Sequence, residues 1–321
     1  MIKKQPEQHS LSDMIESSFE SETFPESHVF AEGIQILPAG YDEKCCRVHF
    51  SVPYTTRDSG PLHLHIIEPK QTIEEGKTYP LILYVQGSAW LAQDTGSQVA
   101  QLSRFAQRGF VIAVVEYRPS TVAPFPAQVI DTKTAIRYMM QHAADYHADP
   151  QQVFLWGDSS GGHTAVMVAV SQENEVLDEC AAGDDTSLYP PIQLRGVIDY
   201  YGPADIAKMA NEPSVLDHTG PDAPEGLLIG GVRPADHPEL VRPTVPMNYL
   251  ADAHGIPPVL IFHGSKDRIV PFGQSVLLYE ALKQHDKEVY CYQLKGADHG
   301  GEPFWQQNIL DIVEDFIRRY L

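Results

Sequence analysis

The stretch Val153-Phe-Leu-Trp-Gly-Asp-Ser-Ser-Gly-Gly-His163 decides how the rest of the chain reads. It opens as a continuous apolar run of strand type and passes, from Gly162 to Ser171, into a small-residue pattern that suits a buried helix. Between the two lies G-x-S-x-G, Gly157 to Gly161, centred on Ser159. Alone, the five letters fit any Gly-rich turn, but a strand before and a helix after supply the context in which the motif has a mechanism. A serine displayed at such a turn sits in strained backbone, and glycines on either side keep neighbouring side chains clear of it. The helix N-terminus behind it presents free N–H groups and a positive dipole end to a developing oxyanion. Ser159 is therefore the candidate nucleophile.

Outward from this point, apolar runs fall at Arg47–Val52, His63–Ile67, Leu81–Val85, Val111–Val115, Gly196–Tyr200, Val259–His263 and Val289–Gln293. The central runs are nearly continuous in Val, Ile, Leu and aromatics, as strands covered on both faces must be. Helical patterns separate the later runs, at 98–108, 127–146, 273–284 and 304–320, the first ending before Gly109. The pattern predicts an α/β fold, a mostly parallel sheet flanked by helices on both faces. Residues 203–258 break the alternation; they are rich in Pro, Gly, Asp and His, and predict a small cap or lid with short helices. Residues 1–44 are polar, with one amphipathic stretch at Leu11–Phe19, and read as an N-terminal arm or cap; 45–321 read as one catalytic domain.

A serine nucleophile needs a base, and the base needs an orienting acid. For a nucleophile at such an elbow the acid and then the base follow in the chain. Asp267 comes just past the run Val259–His263, and His299 lies in the Gly-flanked loop Lys295–Gly301 after the next run. Both fall at strand C-terminal edges, where open α/β sheets build their sites. Other histidines fit less well: His263 lies inside a strand, His285 at a polar helix end, and His163 inside the helix behind Ser159. Asp298 reads as a loop acid or a supporting partner. The oxyanion donors are expected at the turn Gln86-Gly-Ser-Ala-Trp90, from the amides of Ser88 and Ala89 together with that of Ser160. Trp90, Tyr201 and Leu228 are candidates for the substrate pocket, although an aromatic at a strand end is more often core.

The chain has 321 residues, with 23 Lys and Arg against 43 Asp and Glu, a formal charge of −20. That balance argues against nucleic acid, an anionic membrane surface or a highly anionic substrate, and leaves neutral small molecules. Cys45, Cys46, Cys180 and Cys291 lack the number and spacing of a disulfide framework or a zinc site, and read as free thiols of a reducing compartment. The N-terminus has no signal-peptide core and no apolar run is long enough to span a bilayer, so the expected location is cytoplasmic.

The chain resembles an α/β-hydrolase of the hormone-sensitive-lipase-like esterase group over residues 45–321. The resemblance rests on Gly157-Asp-Ser-Ser-Gly-Gly162, on Tyr117-Arg118 followed by Pro124-Phe-Pro-Ala127, and on Asp267 and His299 in family order. The usual H-G-G-G is replaced by Gln86-Gly-Ser-Ala-Trp90. That variant, with Leu227-Leu-Ile-Gly-Gly231 and Pro246-Met-Asn-Tyr249, is similar to bacterial esterases acting on acetylated or feruloylated plant carbohydrates. The resemblance implies hydrolysis of short-chain acyl or feruloyl esters through an acyl-enzyme on Ser159. No metal or organic cofactor is required, the partner is a small-molecule ester such as an acylated saccharide, and a homodimer is left open. Two rivals share the fold: an arylformamidase or small amidase, and a catalytically silent ligand-binding module.

Overall fold

Apolar side chains alternate between the two sheet faces along every central strand, and this alternation organises two separate cores. The computed structural model describes residues 23–40, 43–70, 76–172, 177–178, 191–253 and 255–321. The amphipathic stretch at 11–19 and Cys180 lie outside the described residues. The chain divides into two units, Met1–Glu43 and Lys44–Leu321. In the first, residues 23–40 carry exposed side chains and form only turns.

The second unit holds one sheet of eight strands: β1 (Cys45–Arg57), β2 (Gly60–Lys70), β3 (Tyr79–Val85), β4 (Val111–Val115), β5 (Ala148–Asp158), β6 (Leu194–Tyr200), β7 (Val259–Gly264) and β8 (Val289–Leu294). Their spatial order is β1-β2-β4-β3-β5-β6-β7-β8. β1 pairs antiparallel with β2 and β2 antiparallel with β4; every other pairing is parallel. The helices are α1 (Val99–Ala106), α2 (Ala127–Gln141), α3 (Ser160–Val170), α4 (Pro224–Leu228), α5 (Pro238–Val241), α6 (Gly273–Gln284) and α7 (Gln307–Arg319).

Leu81, Leu83, Val111 and Ala113 face one core, which α2, α3 and α6 complete with Ile136, Met139, Ala165, Val168 and Leu278. Ile82, Tyr84, Ile112 and Trp156 face the other, closed by Phe105 of α1 and by Val313 and Phe316 of α7. Adjacent residues serve opposite cores, so these strands must be apolar throughout. Three strands, β1, β2 and β5, run well beyond their apolar stretches. β1 is an edge strand whose side chains are mostly half-buried or exposed, so polar residues extend it to Arg57. β5 begins with Ala148 and Asp149, paired to Tyr79 and Pro80 of β3, and the polar residues that follow form an irregularity before pairing resumes at Val153.

Between β6 and β7 the short helices α4 and α5 alternate with 3₁₀ turns at Ile206–Asn211, Pro234–Asp236, Arg242–Thr244 and Pro246–Tyr249. All but the first of these six segments carry proline in their opening positions. A proline there fixes φ for a helical start, while the next proline stops the turn before, so the segments stay short. The insertion is stitched to the sheet domain by an apolar cluster of Trp90, Ile206, Leu228, Ile229, Val241 and Val245.

Candidate active site

β5 delivers the chain to Ser159, and α3 begins on the next residue. Ser159 has φ 53° and ψ −126°, a left-handed backbone that a non-glycine residue adopts only when its surroundings enforce it. Here its N–H donates to the Tyr200 carbonyl at 2.7 Å and its C=O accepts from the His163 N–H at 3.1 Å. A Cβ on Gly157 would collide with the Gly161 carbonyl, and one on Gly161 with the Val85 carbonyl. The two motif glycines thus exist for close approach of main chains, which locks the elbow onto the end of β3.

His299 reaches back over Ser159 from the loop after β8: its Nε2 lies 2.9 Å from Ser159 Oγ and its Nδ1 2.7 Å from Asp267 Oδ2. The Asp267 side chain is fully buried, just beyond the C-terminal end of β7. Its Oδ1 accepts the amides of Ile269 and Val270 at 2.9 and 2.8 Å, and its Oδ2 also lies 3.2 Å from His263 Nε2. Burial alone would raise this carboxyl, but the bonds and charges of His263 and His299 outweigh it and hold Asp267 well below the usual carboxylate range. His263, buried inside β7, is tied to Ser275 Oγ at 2.7 Å and the Val270 carbonyl at 2.9 Å, so it buttresses the acid. Asp298 faces elsewhere: its carboxylate accepts from the Arg268 backbone and guanidinium and from the His299 amide. The arrangement can move a proton from a serine hydroxyl to an imidazole whose cationic form is stabilised by a fixed carboxylate.

The turn after β3 carries Ala89 and Trp90 in left-handed backbone, φ 54° and 56°. Gln93 fixes it by donating to the carbonyls of Gln86 and Val115 while accepting the Tyr117 amide. Tyr117 lays its hydroxyl 2.9 Å from Ser88 Oγ. One expected donor needs correction. The Ser88 N–H donates to Ser160 Oγ at 2.9 Å, so a side chain of the elbow already occupies it. The Ala89 amide makes no hydrogen bond to a described residue, and Ser160 opens α3, where an N–H has no intrahelical acceptor. Ala89, Ser160 and Ser159 line the same cavity, leaving two amides for an oxyanion.

That cavity is small, and its apolar walls include Pro203, Met209, Leu216, Ile269 and Val270. Trp90 lines it and is anchored from behind, its indole N–H donating to His163 Nδ1 at 3.2 Å. His163 in turn donates from Nε2 to the Thr244 carbonyl at 2.7 Å, which ties α3 to the insertion. Leu228 is a correction: it is wholly buried and packs behind Trp90, so it supports the pocket without facing it. Tyr201 is likewise almost entirely buried, its ring 4.6 Å from that of His299 and 4.5 Å from that of Phe304, so it is placed to orient the base and is not a wall of the cavity.

Two polar residues in the cavity wall escaped the sequence reading. His218 and Glu225, both in the insertion, are buried, with Nδ1 2.8 Å from Oε1. His218 Nε2 lies 2.8 Å from Ser214 Oγ and 3.1 Å from the Ile269 carbonyl. Burial pulls the His218 pKa down, but Glu225, the Ile269 carbonyl and Asp217 more than compensate, and it stands above the usual histidine value. A histidine and a glutamate seven residues apart in a Pro- and Gly-rich stretch give no periodic signal, so only the fold brings them together. Among the described residues no group of three or more His, Cys, Asp or Glu side chains is placed to hold a metal ion. No described helix is long and apolar enough to cross a membrane.

The BD-FAE family model matches residues 64–282. Esterase LipQ of Mycobacterium tuberculosis is 27% identical over 251 residues, covering 75% of this chain and 56% of LipQ. A probable isoprenylcysteine alpha-carbonyl methylesterase, ICMEL1 of Oryza sativa, is 23% identical over 81% of this chain and 58% of its own. The chain spans about half the length of the curated relatives it matches. Among solved structures, a truncated carbohydrate esterase from gut microbiota superposes with a TM-score of 0.73 at 27% identity, covering 87% of this chain and 98% of that one. The propionate-bound Est2 esterase of Thermogutta terrifontis shares the fold, with a TM-score of 0.65 at 24% identity over 85% of this chain and 94% of that one.

Proposed function

This chain belongs to the BD-FAE family, of α/β-hydrolase fold, and from that premise we propose that it is a serine carboxylic-ester hydrolase acting on short-chain acyl or feruloyl esters, those of carbohydrates foremost. The observation that carries the reading is the relay from Ser159 Oγ through His299 to Asp267, at 2.9 and 2.7 Å. In this mechanism His299 takes the Ser159 proton as Oγ attacks the ester carbonyl, and Asp267 stabilises the imidazolium. The amides of Ala89 and Ser160 receive the oxyanion. His299 then protonates the departing alcohol, and water, activated by the same imidazole, releases the acid. The cavity is small beside the ~300–1,000 Å³ typical of small-molecule sites, which favours a short acyl group.

Hydrolysis of p-nitrophenyl acetate, butyrate and octanoate, beside methyl ferulate, tests the reading with wild type against Ser159→Ala. Release that depends on Ser159 and is strongest for acetate or ferulate supports it. Turnover of formamides with none of esters would replace it by the arylformamidase alternative, and no turnover at all by a binding role.

A further inference from the structure

Glu225 is 2% exposed, yet only one of its carboxyl oxygens is engaged. Oε2 has no hydrogen-bond partner among the described residues, although Glu225 forms part of the wall of the cavity that holds Ser159. A buried carboxylate oxygen left without a donor is costly, and a site that tolerates one is completed by something else. The chemistry of that complement can be read from the partners. The short Nδ1···Oε1 contact holds one proton between His218 and Glu225, so Oε2 keeps only lone pairs and acts as an acceptor. With that proton shared between them the pair carries little net charge, and a neutral donor suits it better than a cation. Apart from the Ser159 and Ser160 hydroxyls at the elbow, the remaining walls, among them Met209, Leu216, Ile269, Val270 and Pro203, are apolar.

We propose that Glu225, held by His218, is a specificity-determining residue that accepts a hydrogen bond from a hydroxyl group of the ester lodged beside Ser159. The proposal rests on the hydrolase reading above and narrows its substrate class to hydroxyl-bearing esters. The hydroxyl belongs either to the acyl group, as in a short hydroxy acid, or to the alcohol, as in a partly acylated polyol or sugar.

Two isosteric pairs distinguish these sources, with acid release from the full chain followed by titration. On the acyl side methyl glycolate is set against methyl propionate, and on the alcohol side 2-hydroxyethyl acetate against propyl acetate. Each pair exchanges a methyl for a hydroxyl, and each rate is normalised to uncatalysed alkaline hydrolysis. One arm should favour the hydroxyl ester by roughly ten- to a hundredfold in kcat/KM, the range of a hydrogen bond to a charged acceptor. Glu225→Met should collapse that ratio towards one. Should that variant not fold, Glu225→Gln, which turns an amide donor towards the cavity, must lower the ratio as well. A wild-type ratio at or below one in both arms, with p-nitrophenyl acetate still hydrolysed through Ser159, overturns the proposal and leaves the hydrolase reading standing. A preference that survives both substitutions also overturns it. Absence of Ser159-dependent turnover on every ester overturns both.

Discussion

Two buried carboxylates, Asp267 and Glu225, each lean on a histidine beside the same cavity, and they are satisfied in different degrees. Asp267 accepts two amides and stands against two imidazoles, so both of its oxygens are engaged. Glu225 has one partner on Oε1 and none on Oε2 among the described residues. The ring that leans on Asp267 offers its far nitrogen to Ser159, whereas the ring that leans on Glu225 spends its far nitrogen on Ser214 and the Ile269 carbonyl. A saturated carboxylate is an internal fixture that positions a moving proton. A half-satisfied one looks outward, to whatever enters.

The sharpest way to break this contrast is to remove the Ser159 hydroxyl, the proposed nucleophile. Ser159→Ala should cost about 10⁴–10⁶-fold in kcat with p-nitrophenyl acetate while leaving the circular dichroism spectrum unchanged, because the reacting atom belongs to the Asp267 side alone. Next, Asp267→Asn should lower kcat by about 10³–10⁴-fold, since an amide nitrogen would face ring N–H groups and favour the wrong tautomer of His299. Glu225→Met should instead alter discrimination between substrates, as set out above, with a smaller effect on kcat for an ester lacking a hydroxyl.

A third buried histidine sharpens the comparison because it has no carboxylate at all. His163 is satisfied as a neutral ring, accepting from Trp90 and donating to Thr244, and burial pulls its pKa down to about 4 despite the Thr244 carbonyl. Unfolded, it would take up a proton near the ordinary histidine value of about 6.5. Its contribution is therefore complete above about pH 6.5 and is lost as the pH falls towards 4, up to about 3 kcal/mol in all. His218, whose pKa is raised, works in the opposite sense: its contribution is present in acid and fades as the pH rises through its folded value. Urea denaturation between pH 4 and 7 should show the first slope, and His163→Gln, able to make both bonds without titrating, should flatten it. An unchanged slope would show that His163 does not govern it. The smallest effect belongs to the acid that adjoins the base in sequence. Asp298→Asn should change kcat/KM by about twofold or less, since its carboxylate faces Arg268 at the surface. A loss comparable with that of Asp267→Asn would transfer the orienting role to it.

Most of the sheet was legible because its strands are covered on both faces and so must be apolar without interruption; each of the eight runs lies within one of the eight strands. What escaped were the ends of β1 and β2, fixed by pairing with each other, and the start of β5, where an irregularity precedes the apolar run. Ser159, Asp267 and His299 were legible because each follows a strand at the same edge of the sheet. The loss of the Ser88 amide was not, because it depends on where one hydroxyl, that of Ser160, comes to rest. Glu225 and His218 were hidden for another reason. Their segment is organised by prolines, which punctuate the chain without giving it a period.

The link from Trp90 through His163 to Thr244 also bears on modularity. The indole that walls the cavity, the helix behind Ser159 and the backbone of the insertion meet at a single imidazole. Grafting a relative's insertion onto this scaffold, which keeps Trp90 and His163, would therefore require the grafted backbone to present a carbonyl where Thr244 now does. Exchanges that respect this joint can vary the cavity wall, and those that ignore it would unsettle the turn after β3 first.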